Sequence, residues 1–265
     1  MRQVGHSWAT FGLLVAVFAV LWIPVGQHGF LYPHWMKVGT FLAPFLLFTA
    51  AAFRADHAPS WSKDLTVLSL LMLVAYIVHQ FEEHWIDLYG NEYAFHGSVN
   101  QLLQEVTGTE SEPLTPAGIF VINTSLVWLV GALAIWRGEN HVFPALAMAA
   151  IIVVNAVAHI ALGVAGLEYN PGLLTSIVVF LPIGGYVYRR VLRDGLAPPG
   201  QVAASILWGV LAHVIMVGGL VVGNVMGLFP ELVYFAALIV WSVVPVFLFR
   251  TSSTARSGSP VASSP

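Results

Sequence analysis

Cysteine is absent from the 265 residues, which excludes a disulfide framework and any thiolate-held metal. A bound metal would have to use imidazole, carboxylate or amide oxygen. Charge is scarce too: charged residues make up 9% of the chain, where a soluble domain carries about 25%. With only ten basic residues, the chain offers no footprint for nucleic acid. What fills the space is apolar, with 58% hydrophobic residues and a mean hydropathy of +0.81. The composition is that of an integral membrane protein, and the fold class expected is an all-α, polytopic transmembrane bundle.

Apolar runs long enough to cross a hydrocarbon core of about 30 Å fall at residues 8–25, 38–53, 65–83, 117–136, 142–166, 172–188, 203–228 and 232–249, eight in all. The first is followed by "IPVGQHGF" rather than a small-residue cleavage site and is expected to be retained. Residues 1–250 thus read as one bundle. The Ser/Pro/Gly-rich tail at 251–265 has nothing to bury and reads as disordered.

Eight spans put nine of the ten basic residues on one side, Lys37 being the exception, and nine of the thirteen acids at or beyond the other. The positive-inside rule then places both termini in the cytoplasm and the acid-rich loops outside a cell membrane. Dropping or adding a span would scatter the basic residues over both sides.

At the outer end of the third span lies "HQFEEHWIDLYG", His79 to Gly90. At 100° per residue, Glu82 falls roughly 60° to one side of His79 and Glu83 roughly 40° to the other, so the three share a face, with Tyr76 one turn earlier and His84 opposite. Ionisable side chains at membrane depth are costly unless paired or neutralised, and so point to function. Two neighbouring carboxyls add mutual repulsion, which one proton or one cation relieves. The plainer reading ends the helix near Gln80 and leaves both glutamates as solvated cap residues.

The fifth span carries Asn155 and His159 at i and i+4, and the fourth carries Asn123 at a matching depth. The loop "LEYNPG" sets Tyr169 and Asn170 over the mouth of this polar layer. Each has a structural alternative: an interhelical hydrogen bond for His159 and Asn123, ordinary turn chemistry for Asn-Pro-Gly. His213, nearer mid-membrane, reads as a packing or hydrogen-bonding residue.

His79, Glu82 and Glu83 spell H-x-x-E-E. With the "NAVAH" to "YNPGLLTS" segment, residues 65–188 resemble the HXXEE-domain family of multi-pass membrane proteins. The resemblance implies a helical membrane protein and points to His79, Glu82 and Glu83, with His159 as companion. It implies no reaction, and the first two and last two spans lie outside it.

Four functions remain open. A mononuclear zinc or iron enzyme would use His79, Glu82, Glu83 and His159 as ligands or base; a ferritin-like di-iron site would need more carboxylates than the spans offer. A metal-free enzyme would use Glu82, Glu83 and His79 for acid–base work on an isoprenoid or other lipid-like substrate, with Tyr76, Asn123, Tyr169 and Asn170 around it. A proton- or cation-coupled carrier is the third, disfavoured by an inner half almost empty of ionisable groups. A structural subunit surrounded by membrane lipid is the fourth.

Overall fold

In a computed structural model, residues 8–22, 31–57 and 64–249 are described. The tail at 251–265 and residues 25–30 of the first outer link lie outside them. Among the described residues all elements are helical apart from an isolated antiparallel bridge between Ile86 and Glu92, as a chain with no water to satisfy its backbone in hydrocarbon requires.

The helices are α1 (Trp8–Trp22), α2 (Leu31–His57), α3 (Leu65–His84), α4 (Ala94–Thr107), α5 (Pro116–Ile122), α6 (Val130–Arg137), α7 (Phe143–Gly166), α8 (Leu173–Thr175), α9 (Leu181–Arg193), α10 (Pro199–Gly219) and α11 (Glu231–Val243). Three π-helical segments join or extend them: Asn123–Leu129 between α5 and α6, Ser176–Phe180 between α8 and α9, and Leu220–Val225 after α10. Such wide turns recur at functional sites, and here all three adjoin the polar centre or the cavity beside it.

Among the described residues, five helices are long and apolar enough to cross a membrane: His34–Ala52, Leu65–His84, Pro116–Asn140, Phe143–Gly166 and Pro199–Val225. Ala9–Phe18 and Glu231–Val246 are shorter apolar helices. The rod running from α8 through α9 ends in Arg189, Arg190 and Arg193, which dilute its hydropathy. The expected count of eight thus meets five helices of full length and composition.

α7 is the central post, packed against α3, α6, α9 and α10. Its close approach to α10 rests on Gly209, where a Cβ would stand 2.9 Å from that of Ala150. α3 begins at Asp64, whose carboxylate accepts the Thr66 amide at 2.7 Å, a side-chain N-cap. α5 begins in the same way at Thr115, whose hydroxyl accepts the Gly118 amide and donates to Glu231 of α11 at 2.6 Å. These caps fix α3 and α5, and so the depth of their polar residues.

α4 is amphipathic and lies between the third and fourth apolar runs, outside the expected spans. Its Phe95, Val99 and Leu103 pack on the core while Leu102 and Val106 stay exposed. Asn100 anchors it by donating to the Leu114 carbonyl and accepting the Leu114 amide.

Candidate metal centre

α3 does not stop at Gln80. It runs to His84, and His79, Glu82 and Glu83 are 0%, 6% and 4% exposed, which removes the reading of solvated cap glutamates. Beyond it the chain turns back through Asp87, whose Oδ1 accepts the Tyr89 and Asn91 amides and whose Oδ2 accepts from the Asn91 side chain. Burial pushes the Asp87 carboxyl up, but the bonds from Asn91 and Tyr89 outweigh it and hold the group below the usual Asp value.

The two glutamates face different neighbours. Glu82 Oε1 accepts from the Tyr169 hydroxyl at 2.9 Å and the Leu174 amide at 3.1 Å; Oε2 accepts the Thr175 amide at 2.8 Å and the Thr175 hydroxyl at 2.5 Å. These four donors match the lone pairs of a carboxylate, two of them at the amino end of the rod that α8 opens. Tyr169 also accepts the Leu88 amide. Burial, with Glu82 beside it, holds the Tyr169 phenol protonated well above its ordinary range.

Glu83 faces imidazoles. His159 Nε2 lies 2.9 Å and His79 Nε2 3.3 Å from its Oε1, and His84 Nε2 lies 3.4 Å from its Oε2. The ring tautomers follow from partners whose own roles are fixed. Asn170 Nδ2 donates to the His159 backbone carbonyl at 3.0 Å, so its Oδ1, 2.7 Å from His159 Nδ1, must accept from that nitrogen. The single Thr175 hydroxyl proton goes to Glu82, at 2.5 Å, rather than to the Gly172 carbonyl at 3.3 Å, so Thr175 Oγ1 accepts from His79 Nδ1 at 2.7 Å.

Both rings thus carry hydrogen on Nδ1 and turn an Nε2 lone pair toward one carboxylate oxygen. At His79 the Asn155 amide nitrogen also reaches Nε2, at 2.9 Å; at His159 the Nε2 lone pair meets the carboxylate oxygen directly at 2.9 Å and repels it unless a cation lies between them, either a shared proton or a metal ion. Ligand atoms around a tetrahedral zinc stand roughly 3.3 Å apart, given bonds of about 2.0–2.1 Å. His79, Glu83 and His159 each offer one ligand atom, all within 4.8 Å of one another. Histidines that bind a metal through one nitrogen and donate from the other form the usual supported ligand arrangement.

Gly172 closes the group from above. Its φ is +96°, and an added Cβ would lie 2.7 Å from Cε1 of both His159 and His79 and 3.0 Å from Glu83 Cγ. Any L side chain there meets backbone strain and collides with all three residues.

Residues 70–187 match the family model described as "Protein of unknown function with HXXEE motif". The chain carries an HXXEE domain. No curated protein and no solved structure gives a significant match. The domain runs from the second turn of α3 to the middle of α9, and takes in His79, Glu82, Glu83, His159, Asn170, Gly172 and Thr175.

Beside the His79–Glu83–His159 group, the HXXEE domain and α10 together enclose a cavity of about 290 Å³. Glu83, His84, Asn123, Asn155, His159 and His213 supply its polar wall; the remainder is apolar, from α4, α7 and α10 among others. Leu102, Leu162 and Val217 line it while remaining 42%, 48% and 47% exposed. These side chains rim the mouth, and each stands on the apolar outer surface of its helix.

The HXXEE-domain structure sorts the residues singled out in the sequence. Tyr76 and Asn123 line the cavity, the Tyr76 ring standing edge-on to His79 at 5.5 Å between centroids. Tyr169 and Asn170 are not among its lining residues: they hold Glu82 and His159 from the loop. Glu82 stays outside the three-residue group, both oxygens taken by the 169–175 segment.

Sequence reasoning missed His84, Gln80 and Thr175. His84 Nε2 meets Asn123 Nδ2 at 3.2 Å, Asn123 Oδ1 accepts from Gln80 at 2.8 Å, and Gln80 accepts from Trp128 Nε1 at 3.0 Å. Gln80 lies inside the motif, where its amide was itself the available signal. Asn155, already paired with His159 by spacing, donates to His79 Nε2 at 2.9 Å.

Proposed function

We propose that this protein is a multi-pass membrane enzyme in which His79, Glu83 and His159 hold one zinc or iron ion beside a lipid-facing cavity, and that its substrate is a hydrophobic molecule of isoprenoid or lipid type. One observation carries the reading: two imidazole Nε2 lone pairs, each set by a donor contact behind the ring, converge on one buried carboxylate oxygen. Three protein ligands and an open position suit a catalytic rather than a structural metal, which would polarise a substrate oxygen or acidify a water. Glu82 is assigned to positioning, since it orients Thr175 and, through it, His79.

The apolar cavity supports the substrate class. A rim of leucine and valine faces acyl chains, so a hydrophobic ligand enters sideways and meets Glu83, His84 and His159 only at the polar wall. On the sequence charge pattern, the protein spans eight times with its site toward the outer face and both termini in the cytoplasm. The lack of native cysteine makes that testable: Glu92→Cys should react with a membrane-impermeant maleimide in whole cells, and reaction only after lysis reverses the orientation.

Metal analysis tests the centre. Protein purified without chelator should carry about one zinc or iron per chain, and Glu83→Gln and His159→Ala should carry none while keeping their helix content. Metal-free wild type would leave a shared proton between Glu83 and an imidazole, the acid–base reading; a Glu83→Gln protein that keeps its metal would remove these ligands from consideration.

A further inference from the structure

A second cavity, of about 280 Å³, adjoins the first and shares His84 and Ile119 with it. Its chemistry differs. The one charged side chain in its lining is Lys37, which shares that lining with His84, His96, Tyr93 and the indoles of Trp35 and Trp85. No carboxylate lines it, and among the described residues no ion pair involves Lys37, whose ammonium lies 5.5 Å from the Trp85 ring centre. On the orientation read from the charge pattern, Lys37 is also the single basic residue on the acid-rich side, where lysine is least favoured.

His84 adds a directed donor. Asn123 Nδ2 donates to the Ile119 carbonyl, which fixes its amide, and the same nitrogen faces His84 Nε2 at 3.2 Å. With Nε2 as acceptor, the ring proton sits on Nδ1, for which no hydrogen bond forms among the described residues. Nε2 looks toward Glu83 and Asn123, which line only the first cavity. The opposite edge of this buried ring is left for the second.

We propose that the second cavity is a binding subsite for an oxyanion, a phosphate or carboxylate group held by the Lys37 ammonium and the His84 Nδ1–H against the two indoles. The site stands apart from the metal reading, since no residue of it is a metal ligand and its test does not depend on metal content. Where the anion is the head of an amphiphile, its chain lies within reach of the first cavity across His84.

Trp35 and Trp85 provide the readout. Full-length protein in nanodiscs of neutral lipid is titrated with inorganic phosphate and, separately, with phosphatidic acid, following tryptophan emission. A saturable change with either probe is expected, weakened about tenfold or more in Lys37→Gln, because a charge-assisted hydrogen bond is lost. Lys63→Gln should titrate like wild type. A response to phosphatidic acid alone supports a lipid headgroup as the source; a response to both supports a free anion as well. No saturable response from either probe, or equal responses in wild type and Lys37→Gln, overturns the proposal. Trp35→Phe with Trp85→Phe keeps it falsifiable: the emission change should vanish, and if it persists the signal comes from elsewhere and the cavity is not the site.

Discussion

Glu82 and Glu83 are neighbours on one helix and both are buried, yet the regions they enter could hardly differ more. The Glu82 side is a turn rich in donors, where two amides and two hydroxyls meet one carboxylate. The Glu83 side is a convergence of acceptors, where imidazole lone pairs face a carboxylate and, at His159, a shared proton or metal ion completes the balance. Identical side chains one residue apart therefore do different work: Glu82 closes the fold around the site, and Glu83 is what the fold has been closed around.

Breaking the second region should have the largest effect. Glu83→Gln or His159→Ala is expected to abolish metal binding, read as metal per chain after gel filtration. Gly172→Ala comes next: it should displace both imidazoles and lower metal affinity at least as much as loss of a supporting contact, while α7 and α10 still pack, as checked by competition with a chromophoric chelator and by circular dichroism. Thr175→Val leaves the His79 Nδ1–H without its acceptor and should weaken metal binding by about 10- to 100-fold.

On the first side, Glu82→Gln sets an amide nitrogen against existing donors and should cost about 1–3 kcal/mol of stability. The metal should nevertheless stay stoichiometric, so thermal melting and metal content must separate. A Glu82→Gln protein as metal-free as Glu83→Gln would erase the contrast between the two regions.

The smallest effect concerns the turn beyond them. The folded Asp87 carboxyl lies below its unfolded value of about 3.9. Its contribution is therefore complete above that value and is lost as pH falls through the lower folded one. Amides of Tyr89 and Asn91 should lose exchange protection, corrected for intrinsic rate, below about pH 4, and Asp87→Asn should flatten that dependence.

Much of the centre was legible from spacing. His79 and Glu83 are one turn apart, and depth counting along two spans that both run outward put His159 in the same layer, because helical rise is fixed at about 1.5 Å per residue. The shared face was drawn too broadly. Glu82 and Glu83 stand about 100° apart around the helix, and their long side chains carry the carboxylates into separate regions. His84 was placed opposite, but at the last turn of α3 its imidazole swings beside Glu83 Oε2.

Thr175 and Gly172 could not be read in advance, since their roles depend on the 168–175 turn folding back over α3, a tertiary event with no periodicity. Nor could the π-helical turn that begins at Asn123 be foreseen, because a wide turn leaves no residue signature. Among the described residues five helices of full span character stand where eight were expected: the arginines at the end of α9 dilute one apolar rod, and the apolar stretches of α1 and α11, Ala9–Phe18 and Glu231–Val246, are shorter.

α4 forms part of the wall of the larger cavity while exposing Leu102 and Val106. On the placement proposed above, such an amphipathic helix lies in the membrane interface with its exposed apolar residues toward the acyl chains. The room available to a ligand then becomes a property of the surrounding lipids as well as of the polypeptide. Thin, loosely packed bilayers should admit bulkier guests than thick, ordered ones, and equal uptake in both would show that the helix is braced by the protein alone.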